Sequence, residues 1–342
     1  MPDIFDLRTL IAAIRQMPPA QTFLGDLLFG EGKPFNTETV EVEYRKGKRK
    51  MAPFVSPLLP GKVTNREGYT VTMFKPALVK PLRPVTVIDL QKKAFGQDPF
   101  ADQSPDERAR EIIAQDTLDL DEEITRREEW MRRELIFTGK VTQKGEGVDQ
   151  VLDFGFTNKA VLSGTAVWSN PDSDPIAELM NRRLTIIQKS GITPDAVIMA
   201  SDVASAFIKH PLIQKLLDNR NFSVGQVDPR TIPNGATYIG SLKLPALDIY
   251  SYDEWFLDDE TGAEQPMVPT GTYAMVSTRG VFNMHYGAVT IMVNGEFATI
   301  RGTRVPNSWA TVEPPQRFLQ LNSRPLPIPT NVDSWYICKV LQ

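Results

Sequence analysis

The sequence predicts an α+β fold in which a protruding two-stranded ribbon and one long charged helix precede a mixed globular domain. Three observations predict it: an unbroken helical stretch over 104–138 between a start and a stop signal, a basic, proline-punctuated run over 45–84, and alternating helix and strand patterns from 158 to 304. The chain has 342 residues, about two domains at roughly 150 residues each. Apolar residues at 41% supply a core, and 23% charged residues exclude global disorder. A net charge of −4, from 38 basic and 42 acidic residues, argues against a generic polyanion binder, which carries a basic excess.

At the N-terminus, Leu7, Leu10, Ile11 and Ile14 fall at helical spacing before Pro18-Pro19. This short amphipathic helix packs on its own domain or on another subunit; the residues leave both open. Asp3 and Asp6 stand where a secretory signal carries basic residues. No stretch approaches 18 consecutive apolar residues, so no membrane span is expected.

Val40–Tyr44 alternates like a half-exposed strand. Arg45, Lys46, Lys48, Arg49 and Lys50 then place five cations in six residues, followed by Pro53, Pro57, Pro60, Pro76, Pro81 and Pro84. Val63-Thr64 and Thr70–Phe74 read as strands around a Glu67-Gly68 turn. Proline is tolerated on edge strands only, so this region reads as a projecting ribbon, with Lys62, Arg66 and Lys75 extending its positive charge. A two-stranded ribbon is marginal alone in water and needs a partner surface.

Ser104-Pro105-Asp106-Glu107 forms a capping box with proline at the first helical position, and Gly139 stands at the stop. Ile112, Ile113, Leu120, Ile124, Met131 and Leu135 mark one face, so the helix is expected to run across a surface. Residues 51–100 hold seven Lys/Arg and three Asp/Glu, a net +4 that the run 45–50 raises to +9, whereas 101–139 hold six Arg and twelve Asp/Glu, a net −6. Asp119, Glu122 and Glu123 lie on this acidic helix. If the ribbon leaves its own body, its acidic partner belongs to another copy; the plain alternative is two solvated faces. Exposed ion pairs contribute about 0–1 kcal/mol each, so their value lies in steering and register.

Further on, Asp174-Pro175 opens a helix closing at Gly191, Ala196–Ala200 is a short buried strand, Ser201-Asp202 starts a helix through Ile208, and Leu212–Leu217 is helical. Strands follow near Ala236–Ile239 and Leu247–Tyr252. Val289–Val293, Asn294-Gly295 and Glu296–Ile300 form a hairpin signal. Residues 305–342 become proline-rich and end in a strand over Ser334–Leu341.

The search for chemistry is negative. No GxxxxGK, GxGxxG, GxSxG or HExxH pattern occurs. Asp153-Phe154-Gly155 matches the kinase metal-binding tripeptide, but a kinase also needs an upstream histidine motif, and no histidine precedes His210. The other histidine, His285, lies 75 positions away without a ligand pattern. The helix carboxylates lack partner ligands for a metal cluster. His210 before Pro211 reads as structural at a helix end. Cys338, the single cysteine, excludes an internal disulfide and reads as a buried thiol in an apolar strand. Asn221-Phe222-Ser223 fits the glycosylation pattern without secretory context. No catalytic, cofactor or metal residues are assigned.

The order of short helix, extended arm, ribbon, long helix, α+β domain and return strand resembles the Hong Kong 97 fold of tailed-phage major capsid proteins. Residues 34–63, PFNTETVEVEYRKGKRKMAPFVSPLLPGKV, with KPALVKP at 75–81 and NSWATVEPPQRFLQLNSRPLPIP at 307–329, resemble the lambda-type branch in particular. The resemblance implies an N-terminal arm (1–44) along neighbouring subunits, an extended loop (45–100) overlying an adjacent subunit, and a peripheral domain (101–157) with the spine helix. An axial domain (158–304) meeting its copies at hexamer and pentamer centres and a return to the peripheral domain (305–342) complete it. It implies a self-assembling icosahedral phage head enclosing double-stranded DNA without sequence-specific binding, in the virion after assembly in host cytoplasm. Arg45, Lys46, Lys48, Arg49, Lys50, Lys62, Arg66 and Lys75 would meet Asp119, Glu122 and Glu123 between subunits. Relatives with a built-in scaffold carry about a hundred further residues before the arm; the forty here imply a scaffolding protein in trans, with a portal and a decoration protein as further partners. The alternatives are an encapsulin-like compartment shell, an enzyme with a carboxylate site in the axial domain, and another virion component such as a tail or portal-associated protein.

Overall fold

The long helix organises the fold. The computed structural model describes residues 10, 22–30, 32–45, 60, 69–86, 105–217, 225–232, 235–258, 262–293 and 295–341. Helix Pro105–Thr138 has 34 residues and is about 50 Å long at 1.5 Å per residue. Its expected cap Ser104 lies outside the described residues. Gly139 ends it at φ 74, donating to the Leu135 carbonyl at 3.0 Å.

The two halves of this helix meet different environments. Ile113, Leu120 and Ile124 join Leu10, Leu319 and Leu321 in a small cluster, beside the sheet Val305–Thr311, Gln316–Asn322, Leu82–Thr86. Met131, Leu135 and Ile136 enter the main core. The expectation of a helix lying on a surface therefore holds for its first half only; a continuous apolar turn, Leu135-Ile136-Phe137, drives the second half inside.

The main core surrounds a seven-stranded sheet ordered Lys159–Val161, Tyr336–Lys339, Thr272–Val276, Ala196–Met199, Leu247–Tyr252, Ala236–Leu242, Gly225–Ile232. Its central strands Ala196–Met199 and Thr272–Val276 are buried throughout, as near-continuous apolar runs must be. Helices Pro175–Ser190, Ser201–Lys209 and Pro211–Leu217 follow the expected positions. Asp174 caps the first by accepting from the N–H of Ile176 and Ala177, and Gly191 closes it in the left-handed region. The hairpin Val289–Val293/Glu296–Ile300 also forms where the Asn-Gly turn predicts it.

Three placements add to the sequence expectations. First, residues 305–342 do not all return to the long-helix layer: Tyr336–Lys339 lies inside the seven-stranded sheet, antiparallel to Thr272–Val276. Its run of buried residues, Trp335 to Cys338, suits an inner strand better than an edge. Second, Tyr69–Phe74 pairs with Val40–Arg45, antiparallel. Val40 and Val42 face inward, while Glu41 and Glu43 oppose exposed Met73 and Val71, as the alternation of faces along a strand requires. Val63-Thr64 and the Glu67-Gly68 turn lie outside the described residues, as do Leu7, Ile11, Ile14 and Asn221-Phe222-Ser223. Third, part of the expected arm packs on its own chain. Phe23, Leu24, Leu28, Val40 and Val42 are buried in the main core, and the Phe23 ring packs tilted against that of Tyr252 with centroids 4.9 Å apart.

Candidate assembly interface

The helical spacing of Asp116, Asp119 and Glu123 places three carboxylates on one helix face, and strand Leu82–Thr86 brings Arg83 over them. Arg83 Nη1 lies 2.6 Å from Asp119 and 3.2 Å from Asp116, and Nη2 lies 3.1 Å from Glu123. Burial alone would lower the Arg83 pKa; its hydrogen bonds to Asp119, Asp116 and Glu123 more than offset that and raise it. The Arg83 hydrogen bond in turn holds the Asp119 carboxyl below the usual range, against burial. The basic loop and the acidic helix thus already meet within one chain, at a position the sequence reading did not single out. Glu122 stays on the exposed side, 2.8 Å from Arg126 one turn on.

Lys75 reaches Glu38 at 2.5 Å, not the long helix. Glu38 also receives Arg324 at 3.3 Å and the Thr290 hydroxyl at 3.0 Å; the Lys75 and Thr290 hydrogen bonds hold its pKa low. Arg45 pairs with Tyr69 at the outer end of the ribbon root, and Lys46, Lys48, Arg49, Lys50, Lys62 and Arg66 lie outside the described residues.

A buried ionic network beneath this surface was missed from sequence. Arg304 binds Asp121 and Glu128, each at 2.5 Å. Arg132 lies 3.6 Å from Glu128 and 3.0 Å from Glu129. Glu129 accepts from the N–H of Leu24 at 2.7 Å and of Gly25 at 3.3 Å, so the long helix caps the short helix Phe23–Leu28, whose own Thr22 makes no side-chain cap. Burial pushes the Glu129 pKa up, opposed by Arg132 and the Leu24 and Gly25 amides. Tyr252 and Tyr286 hydroxyls donate to Glu129 and Glu128 at 3.3 and 3.2 Å. This network ties the long helix to the N-terminal segment and to the strands beneath it.

The residues weighed for chemistry take structural places. Burial pushes the Cys338 thiol up to about 12, so it is protonated at neutral pH. His210 is buried, with Nε2 3.1 Å from the Ser173 hydroxyl and 3.2 Å from the Asn170 carbonyl. Asp153 accepts from the Gly155 N–H at 2.8 Å and pairs with Lys140 at 2.8 Å, which makes the kinase-like tripeptide a turn. Among the described residues no group of three His, Cys, Asp or Glu could hold a metal ion, and no helix is long and apolar enough to cross a membrane.

What this arrangement offers is a charged, ribbon-bearing surface. The family model for phage major capsid protein E matches residues 6–340. The chain belongs to that family. It is 25% identical over 346 residues to the P21 prophage-derived major head protein of Escherichia coli O6:H1, covering 98% of this chain and 99% of the relative. It is also 25% identical over 332 residues to the major capsid protein of Escherichia phage lambda, covering 95% and 96%. A crystal structure attributed to a prophage capsid protein of E. coli CFT073 shares the fold, with a TM-score of 0.72 at 17% identity over 98% of this chain and 99% of that one. This phage capsid protein is accordingly a structural component of the virion that assembles with copies of itself.

Proposed function

We propose that this capsid protein forms the hexamers and pentamers of an icosahedral head of Hong Kong 97 type enclosing double-stranded DNA. In this reading the extended loop of one copy lies across the acidic long helix of the next, and the domain 158–304 meets its copies at capsomer centres. Assembly takes place in the host cytoplasm with the partners the resemblance implies: a scaffolding protein in trans, a portal and a decoration protein. The relatives are phage head proteins, which favours this over a cargo compartment of encapsulin type.

The observation that carries the loop-on-helix contact is charge. The run 45–50 adds five cations where the paired root ends, while Arg83 offsets only part of the carboxylate charge on the helix. The test is charge reversal at Lys48, Arg49 and Lys50 to Glu, with particle yield followed by electron microscopy and sedimentation across ionic strength. Wild-type assembly should weaken as salt rises, because screening weakens exposed attraction. The variant should assemble poorly at low salt and partly recover at high salt, because the same screening relieves repulsion. Salt-independent assembly of both would overturn the contact.

A further inference from the structure

No Lys or Arg occurs between Lys243 and Arg279, whereas seven Asp and Glu do, six of them within 253–264. This acidic stretch forms the hairpin Trp255–Leu257/Glu264–Pro266. Phe256 fastens it to the long helix, its ring 6.4 Å from that of Trp130 and 5.5 Å from the Arg133 guanidinium. Trp255 and Leu257, on either side of Phe256, lie on the opposite strand face, away from that helix. There they are 57% and 64% exposed. Glu264 pairs directly across from Leu257 and shares its face. It is exposed, as is Glu254, and neither forms an ion pair among the described residues. Exposed apolar side chains rimmed by polar groups mark an interaction site, and tryptophan is enriched among the residues that dominate such contacts.

The complementary surface lies on helix Pro175–Ser190. Its buried Leu179 and Ile186 pack into the core. A second apolar stripe, Ala177, Met180, Leu184 and Ile187, follows at three- and four-residue spacing. Leu184 is 53% exposed and the other three are half-buried. The helix carries Arg182, Arg183 and Lys189 against one carboxylate, Glu178. Arg182 takes Glu178 at 2.6 Å. Arg183, next to Leu184, has no ion-pair partner among the described residues, and its buried Nε finds no acceptor there.

The two surfaces stand on opposite sides of the chain. Tyr336 and Cys338 of the seven-stranded sheet meet Arg182 and Glu178, whereas Trp335 and Tyr252 reach the long helix at Ile136 and Glu129. The sheet therefore separates helix Pro175–Ser190 from the long helix that carries the hairpin. Two different patches of one subunit, apolar at the centre and opposite in charge, suit a head-to-tail contact, the kind that closes copies into a ring. We propose that the hairpin of one copy docks on helix Pro175–Ser190 of the next within a capsomer. Trp255 and Leu257 lie against Met180 and Leu184, and Glu264 faces Arg183. The proposal rests on the capsomer reading above and names the surfaces by which the domain 158–304 meets its copies.

Leu257→Cys and Leu184→Cys on two differently tagged chains, co-expressed with wild type and treated with a short bis-maleimide, decide it. Cys338 is buried and stays out of the reaction. A cross-linked heterodimer should form in assembled material and not in unassembled protein. Electron microscopy of the same preparations reads the parent proposal. Pentamers and hexamers without the cross-link overturn the docking and leave the capsomer reading standing; wild-type chains that form neither ring overturn both. A cross-link within one chain carrying both cysteines, diluted among wild type, also overturns the docking. In all-variant preparations, Trp255→Ala and Leu184→Ala should each raise the protein concentration needed for assembly about tenfold. The double variant should stay well below the roughly hundredfold of independent effects, because both changes remove one contact. An unchanged threshold for either variant, or effects that multiply in full, would show that the two side chains do not meet.

Discussion

Arg304 shows how a single side chain joins parts of this molecule distant in sequence. It contacts Asp121, Thr125 and Glu128, and Glu128 is 2% exposed. Removing one partner of a buried pair leaves the other charge uncompensated, at a cost of about 3–5 kcal/mol. Arg304→Ala should therefore lower the stability of the unassembled chain by that order in urea unfolding. Arg304→Met with Glu128→Leu should recover only part of it: replacing both partners of a pair with apolar groups is often near neutral, but Asp121 still loses Arg304 and the Tyr286 hydroxyl loses its acceptor. A double variant as unstable as the single one would mean that shape, not charge, sets the cost. Glu128 was legible in principle: it falls between Ile124 and Met131 at helical spacing, inside the apolar stripe, which is where a buried charge declares itself. Arg304 carries no such mark, because its partners are contributed by another element, and neither does Glu129, whose amide and hydroxyl partners Leu24, Gly25 and Tyr252 come from elsewhere in the chain. Arg83 was equally hidden: nothing local in Leu82–Thr86 says that it will lie over Asp116, Asp119 and Glu123.

Elements with strong local punctuation were readable, and those held by distant pairing were not. Pro105 and Gly139 bound the long helix, Asp174 and Gly191 the next, and Asn294-Gly295 the late hairpin. The strand Pro325–Pro329 was missed because alternate prolines suggest irregular chain. It nonetheless pairs with Phe282–Tyr286 at a sheet edge, where prolines at alternate positions all leave the same, unpaired side without donors. Punctuation of this kind can be weighed directly. A Cβ on Gly139, at φ 74, would lie 2.2 Å from the Phe156 Cβ. Gly147, at φ 72, has nothing within 4 Å of such a Cβ. Gly147→Ala should cost only the left-handed backbone penalty, about 1–2 kcal/mol. Gly139→Ala should add overpacking of about 1–3 kcal/mol, because Phe156 is stacked on buried Trp335 with centroids 4.4 Å apart and cannot withdraw. Thermal unfolding of the two variants side by side checks the order; equal losses would show that Phe156 yields.

At the scale of the whole molecule, the outline was legible in the sequence because charge segregation and proline placement are global features. The division of labour between one copy and its neighbours was not legible. Phe23, Leu24, Leu28, Val40 and Val42 of the expected arm pack into the core of their own chain, and part of the attraction between basic loop and acidic helix is satisfied within the chain by Arg83. What remains exposed is the outer face of the ribbon root, with Met73 at 74% and Val71 at 44%, on a two-stranded unit whose isolated stability in water is marginal. Such a unit opens more readily than a strand buried on both faces. In the unassembled protein, amides of Tyr69–Phe74 should therefore exchange far faster than those of Ala196–Met199, and assembly should slow the first set by about tenfold or more while leaving the second unchanged. Hydrogen exchange read by mass spectrometry in both states measures this directly. Equal protection of the root before and after assembly would mean that the ribbon derives its stability from its own subunit. The exposed methionine and valine would then be surface residues rather than half of a contact completed by the shell.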